Sequence, residues 1–528
     1  MGRGRTAKAK ATNSIPVVDV FAGPGGLGDG FASFRTPQRS HPFDVTLSVE
    51  KEPWARSTLM LRKFFRALSR SRSSEGYYEF ARGELDLDGL FGRYPKGAVD
   101  ADQQAWLAEL GGAHTDPRDV NSRIADAIGR SEAWLLVGGP PCQAYSVAGR
   151  SRNRGVDGYV AEKDHRHYLY LEYLRIISEF WPPLFVMENV PGLLSAHVNG
   201  EPMFQRLGRD LSSPASLFPR KGRSHSYRIV PFSSRSSDLF GELEPSDYVV
   251  RAELHGVPQA RHRVLLLGIR DDLGDVLPEP LEEESEVHAG EVLKGLPRLR
   301  SAPSGSDGSD EEWLSAIASS RDRGWFKTVA RQVGEDVEEE LLLALSRLSL
   351  PRAGRGAEFV PYDTDVGFAA DWYLDERLEG VCNHSTRSHM LHDLHRYFFA
   401  ACFAKVRGHS PTLGDFPRRL LPAHSNVDAA LAGGHFADRF RVQLHGRPSS
   451  TITSHISKDG HYYIHPDPTQ CRSLTVREAA RLQTFPDNYI FLGPRTAQYV
   501  QVGNAVPPLL ATKIAKIAYG VLKEVGLK

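Results

Sequence analysis

Residues 15–31 read IPVVDVFAGPGGLGDGF. The apolar, β-branched start runs straight into glycine, the pattern of a buried strand feeding a tight turn. Gly23, Gly25 and Gly28 satisfy GxGxxG directly after that strand, with Gly26 inside the motif, and Glu50 stands 22 residues past Gly28 at the end of the next apolar run. Glycines let a backbone approach a ligand closely, and an acid at that distance suits ribose hydroxyls. The pattern alone fits NAD or FAD as readily as any other adenosine cofactor.

Similar apolar runs recur at 45–49 (VTLSV), 134–137 (WLLV), 184–187 (LFVM) and 264–269 (VLLLGI). Between them lie helix-like segments such as 168–180, closed by Trp181-Pro182-Pro183. Strands alternating with helices predict an α/β fold, a parallel sheet covered on both faces. After Arg270 the texture changes to an acidic, Pro-rich stretch at 277–287 and then SAPSGSDGSDEE at 301–312. The expected division is a basic tail at 1–14, a catalytic domain at 15–272 with exposed insertions near 55–115 and 211–238, a second, smaller domain at 273–446, and a return to the first at 447–528.

The chain has 528 residues, 41% of them hydrophobic and 25% charged. That composition excludes collagen-like, disulfide-framework and wholly disordered classes. By the sequence alone no stretch approaches the ~18 apolar residues of a membrane span, and the basic start lacks the apolar core of a signal peptide. The cytoplasm is the expected compartment. Lys+Arg and Asp+Glu are 65 each, so attraction to phosphate has to come from local patches. There are 15 lysines against 50 arginines; guanidinium forks suit phosphate and base edges, and a codon bias explains the ratio equally well. Four cysteines without CxxC spacing argue against a disulfide scaffold or a cysteine-rich zinc module.

One of those cysteines has telling neighbours. GGPPCQAYSVAGR (138–150) places Cys142 after an apolar run and two prolines, where a thiol near backbone donors can have its pKa lowered enough to attack. LFVMENVPGLL puts Glu188 and Asn189 at the end of another run, and HGVPQARHRVLLLG puts Gln259, Arg261 and Arg263 just before a third. Carboxyl ends of parallel strands converge on one crevice, so thiol, carboxyl and guanidinium groups share a candidate site.

With these motifs on view, the chain resembles the DNA cytosine-5 methyltransferases. DVFAGPGGLGDGF is similar to the family's S-adenosylmethionine loop, PPCQ to its nucleophile, ENV to its acid and QARHR to its paired-arginine segment; REAARLQTFPD and QVGNAVPP resemble its late motifs. The resemblance implies a Rossmann-like methyltransferase sheet, with target recognition in 273–446, and a methyl transfer to carbon 5 of a flipped cytosine in double-stranded DNA. Cys142 would add to carbon 6. Glu188, its pKa raised by the apolar Phe185-Val186-Met187 approach, would protonate nitrogen 3, and Arg261 and Arg263 would hold the base's carbonyl oxygen and a nearby phosphate, Arg263 on the base side. Gln143, Ser146, Asn189 and Gln259 would contact the substrate. Phe21 and the Gly23–Gly28 loop would pack S-adenosylmethionine, Glu50 its ribose, Asp119 its adenine amino group (with Asp116 the rival), and Asn504 its methionine end.

Lys51 departs from the aromatic residue common after the family's acid. No metal is implied. The expected partners are duplex DNA and a cognate restriction or phage-defence system, with the protein a monomer and no membrane involved. Rival readings are an RNA (tRNA) cytosine-5 methyltransferase, whose family member tends to be smaller, and a catalytically silent DNA-binding regulator.

Two clusters stand apart. CNHSTRSHMLHDLHRY (382–397) carries Cys382, His384, His389, His392 and His395; zinc ligation is one reading, and a helix with surface or phosphate-contacting histidines the preferred one. FADRFRVQLHGRPSS (436–450) interleaves aromatics with arginines, which suits either DNA contacts or a domain hinge.

Overall fold

The computed structural model describes residues 14–71, 73–141, 169–198, 200–219, 222, 224–233, 243–423, 427–432 and 437–527. Cys142, Gln143 and Ser146 lie outside the described residues.

The expected strands form one sheet. β1 (Ile15–Val20), β2 (Phe43–Glu50), β3 (Ala105–Leu107), β4 (Leu135–Gly138) and β5 (Leu184–Asn189) run parallel in the order β3-β2-β1-β4-β5. A small hairpin of β6 (His197–Val198) and β7 (Glu201–Pro202) lies apart from the sheet. Beyond β5, β8 (Tyr227–Pro231) and β9 (Val249–Arg251) pair with β11 (His262–Arg270), and β11 pairs with β5. All three pairings are antiparallel, which corrects the all-parallel expectation.

The reversal decides where the arginines go. An antiparallel β11 starts where the parallel strands end, so the residues entering it meet the carboxyl ends of β4 and β5.

Alternate residues along each strand face opposite layers. Val17, Leu135, Val137, Val186, Leu265 and Leu267 share a core with Phe31 and with Leu510, Ile514 and Ala518. These partners come from the helices Gly26–Ser33 and Pro508–Glu524, so the last helix closes the first. Gly30 permits that contact, since a Cβ there would lie 2.3 Å from Ala511 Cβ. The opposite face, with Val18, Val20, Leu136, Phe185 and Leu266, packs on Val120 and Ile124 of Pro117–Ile128 and on Tyr173 and Leu174 of Leu169–Phe180. That last helix ends at Trp181, whose φ of 47° leaves the helical region. The stretch Arg495–Glu524 is apolar and long enough to span a bilayer by length and composition, contrary to the sequence estimate. It breaks at 505–507 and is largely buried.

Residues 55–115 are not a merely exposed insertion. They supply most of helix Pro53–Arg70, edge strand β3 and a local core of Leu61, Phe64, Phe65, Tyr77 and Leu90. A further core gathers Trp313, Leu341, Phe398 and Phe403. Another joins Val292 and Val381 to Ile452, Ala479, Phe485 and Val502. β10 (Gln259–Ala260) pairs in parallel with β14 (Ser449–Ser450), while β12 (Gly356–Pro361) and β13 (Gly380–Ser385) form an antiparallel pair.

Candidate active site

The turn after β1 is held from both sides. Phe21 adopts φ 56° and Gly23 φ 57°, a conformation that costs a side-chain-bearing residue and not glycine. Among the described residues nothing lies within 4 Å of a Cβ placed on Gly23, so they leave this side of the loop open. Gly25, Gly26 and Gly28 are small for the protein's own packing. Cβ atoms there would lie 2.5 Å from Leu59 Cδ2, 2.1 Å from the Val506 carbonyl and 2.6 Å from Asp19 Oδ2.

Glu50 clasps the loop. Its Oε2 accepts the Gly23 amide at 2.7 Å, and its Oε1 accepts the amides of Lys51 at 2.9 Å and Glu52 at 2.8 Å. Burial raises its pKa against the pull of these amides. A carboxylate offers about four lone-pair sites, so the three amides fix its orientation and leave acceptor capacity for a hydroxyl. This donor set fits an adenosine ribose.

Asp116 is committed elsewhere. It caps helix Pro117–Ile128 and binds the Arg118 guanidinium, whose hydrogen bonds help pull its pKa down to about 2. Asp119 is exposed in the first turn of the same helix. Just past β3, whose Leu107 is in register with Glu50, stands Glu109, paired to Lys51 at 3.3 Å. The sequence reading overlooked this acid. Asn504 is exposed at the end of helix Arg495–Asn504, next to the Ala505–Val506 segment that packs on Gly26.

The tips of β4, β5 and β11 meet. The Arg263 Nε lies 2.7 Å from Glu188 Oε1, and both side chains are largely covered. Burial lowers the Arg263 pKa and Glu188 opposes that shift. The acid thus faces a guanidinium as well as the apolar approach the sequence suggested. Asn189 accepts the Val190 amide on Oδ1 and reaches the Pro140 carbonyl from Nδ2 at 3.5 Å, tying β5 to the chain just before Cys142.

Two expected contact residues turn inward. Arg261 donates from Nη1 to the Ile452 carbonyl at 2.8 Å and from Nη2 to the Gly503 carbonyl at 3.3 Å, and burial holds its pKa well below the usual arginine value. Gln259 is wholly buried; its Nε2 donates to Gln483 Oε1 and the Leu482 carbonyl, and its Oε1 accepts the Ile452 amide. Both bind the 447–528 segment to the sheet instead of presenting themselves to a substrate. Of the paired arginines, the structure brings only Arg263 to Glu188.

The family model for C-5 cytosine-specific DNA methylase matches residues 104–211 and 244–519. The chain belongs to this family. M.Bpa9945I, a type II methyltransferase of Bacillus paralicheniformis, is 33% identical over 529 residues, spanning 96% of this chain and 99% of that protein. M.DdeI, a type II methyltransferase of Desulfomicrobium norvegicum, is 25% identical over 515 residues, spanning 95% of this chain and 87% of that protein.

As a C-5 cytosine-specific DNA methylase, the protein is a DNA (cytosine-5-)-methyltransferase, of a family and fold that depend on S-adenosylmethionine in general. Its late motif is a buried polar keystone. Arg472 makes a double hydrogen bond to Glu478, Arg481 one to Asp487, and Arg477 binds the carbonyls of Cys382, Pro486 and Tyr489. Tyr489 in turn donates to the Pro24 carbonyl, so a residue that the methylase's late motif holds through Arg477 props its glycine loop.

The histidine cluster of this methylase is structural where the sequence favoured surface contacts. His384 bonds Thr475 and the Pro297 carbonyl, and burial pushes its pKa down to about 4. His395 bonds the Ala316 carbonyl, and His389 packs edge-on against Tyr397. Only His392 of the four is exposed. In 437–450, Arg439 pairs with Asp459 and Arg441 with Asp438.

Proposed function

We propose that this methylase acts on a cytosine flipped out of duplex DNA, through a covalent adduct at Cys142. The observation that carries the reading is the Glu188–Arg263 pair beside the Gly139–Pro140 turn, two residues before the cysteine. Carbon 5 of cytosine is a poor nucleophile. Addition of the Cys142 thiolate to carbon 6, with a proton delivered by Glu188 to nitrogen 3, turns the ring into an enamine whose carbon 5 accepts an electrophile. Arg263 holds the carbonyl oxygen of the base and keeps Glu188 oriented. Loss of the carbon 5 proton to solvent then expels the thiolate, and the nitrogen 3 proton returns to Glu188. Both faces of carbon 6 are blocked in a stacked duplex, hence the flipped base.

S-adenosylmethionine, when bound, supplies an electrophilic methyl group. Phe21 and the open side of Gly23 would receive it, Glu50 its ribose, Asp119 or Glu109 its adenine edge, and Asn504 its methionine end. Gln143 and Ser146 belong with Cys142 on the substrate side, and Asn189 holds the Pro140 carbonyl ahead of them in the chain. Residues 15–272 with 447–528 form the catalytic part and 273–446 reads the target. The type II names of the relatives support a place beside a restriction or other defence system; we place the protein in the cytoplasm as a monomer.

The test is trapping. Duplex DNA carrying 5-fluorocytosine is expected to capture the wild-type chain covalently in the presence of S-adenosylmethionine, because fluorine cannot leave as a proton, and Cys142→Ser is expected to bind without capture. A wild type that turns over cytosine yet never traps would sink the adduct. Bisulfite sequencing of DNA from a methylation-free host expressing the chain gives the target sequence.

A further inference from the structure

The loop between β13 and helix Leu391–Arg407 belongs to the histidine-rich stretch, and catalysis makes no use of it. Arg387 anchors it. Its Nη1 and Nη2 donate to the Lys458 and Ile456 carbonyls at 2.9 and 2.6 Å, and its guanidinium lies 4.4 Å from the Tyr499 ring centroid. Ser388 stays exposed, and Arg355 donates to its hydroxyl from Nη2 at 3.0 Å. Arg495 opens helix Arg495–Asn504, whose N-cap Pro494 offers no side-chain cap to the first amides.

Arg355 and Arg495 have no ion-pair partner among the described residues, and the Nε of each is buried without a hydrogen bond. Arg300, a neighbour of Arg355, is already neutralised by Asp310. Burial and the crowding of Arg495 and Arg300 push the Arg355 pKa down. Half-buried guanidinium groups without a counter-charge are unfavourable. Their planar forks match phosphate oxygens, and free amides at a helix start add to the same preference.

We propose that Arg355, Arg495, Ser388 and the first amides of helix Arg495–Asn504 form a seat for one backbone phosphate of bound DNA. At ~1.5 Å per helical residue, Arg495 stands about 14 Å from Asn504 and the cofactor loop beside it. That is a few nucleotides along a strand with ~3.4 Å spacing. The seat fixes the register of the duplex without reading sequence. It rests on the DNA methyltransferase reading and adds a contact outside the reacting pocket.

The experiment compares full-length wild type, Arg355→Gln/Arg495→Gln and Arg495→Gln alone, binding a mixed-sequence 30-base-pair duplex across a potassium chloride series. Losing one phosphate contact should weaken binding about 10-fold and reduce the slope of log K against log salt by about 0.9. S-adenosylmethionine binding by calorimetry should not change, and Arg355→Lys/Arg495→Lys should recover most of the slope. A double variant that folds, binds cofactor and keeps the wild-type slope overturns the seat; if the double variant does not fold, the single variant decides in the same way. A wild type that binds no duplex overturns the underlying DNA reading and the seat with it.

Discussion

The Glu188 carboxylate lies 2.9 Å from the point where a Cβ on Gly139 would stand. The turn leaving β4 and the acid ending β5 therefore share one volume, and the glycine is part of how the acid is aimed. Gly139→Ala should displace the carboxylate from Arg263 while leaving the sheet intact. The expected result is a kcat lowered by a factor on the order of 10–100, within the range a positioned acid contributes, with Tm and cofactor binding close to wild type. A variant with full kcat would show that Glu188 needs no such aim.

The two arginines of QARHR should separate cleanly. Arg261→Met leaves the Ile452 and Gly503 carbonyls without their buried donors, a loss on the order of 3 kcal/mol for charged hydrogen bonds. Urea unfolding should show it. Arg263→Gln, which removes the partner of Glu188 at the mouth of the site, should instead lower the urea midpoint less than Arg261→Met does and lose turnover. The reverse pattern would return Arg261 to the substrate.

Glu50 gives a less obvious expectation. An alanine removes the acceptor of three amides, and a glutamine keeps the shape but turns one acceptor into a donor facing amide hydrogens. Glu50→Gln should therefore weaken S-adenosylmethionine nearly as much as Glu50→Ala, on the order of 10-fold or more for about 1.4 kcal/mol of lost interaction. Calorimetry reads the difference, and a glutamine variant with wild-type affinity would contradict the clasp.

β1 was legible because a β-branched run stopped at glycine, and Glu50 because its spacing from Gly28 fits a strand and turn. The direction of β11 was not, since it depends on Leu265 pairing with Glu188, a contact 77 residues apart in the chain. The fates of Gln259 and Arg261 were hidden for a related reason. The Gln259 amide bonds to Val257 and the Arg261 amide to Gln259, tight i to i−2 turns that send Arg261 inward before the chain straightens and delivers Arg263 to Glu188. A motif shows adjacency and does not show that twist. The arginine excess had a third explanation that composition does not contain: Arg261, Arg472, Arg477 and Arg481 are among the largest fully buried side chains. His395 did carry a signal, because helical spacing sets it with Phe398, Phe399 and Cys402, all buried.

Asp19 ties stability to pH. Its carboxyl is wholly buried on β1, in register with Ser48 of β2, and among the described residues neither of its oxygens nor the Ser48 hydroxyl has a well-formed hydrogen bond. Burial pushes its pKa from 3.8 up to about 7, against the pull of Lys63 and the Gly28 amide. Between those values the unfolded chain has released a proton that the native state still holds. Stability from this group therefore falls as pH rises from about 4 to 7 and is flat above. Lys63, lowered by burial from 10.5 to about 8, acts in a separate window, where stability rises as pH climbs from 8 to 10.5. Asp19→Asn should remove the fall between pH 5 and 7 and keep the alkaline rise, starting it at lower pH because the Asp19 charge that holds the Lys63 pKa up is gone. Urea unfolding of both chains at pH 5, 7 and 9 measures the two windows, and an unchanged acid limb in the variant would assign the slope to other groups.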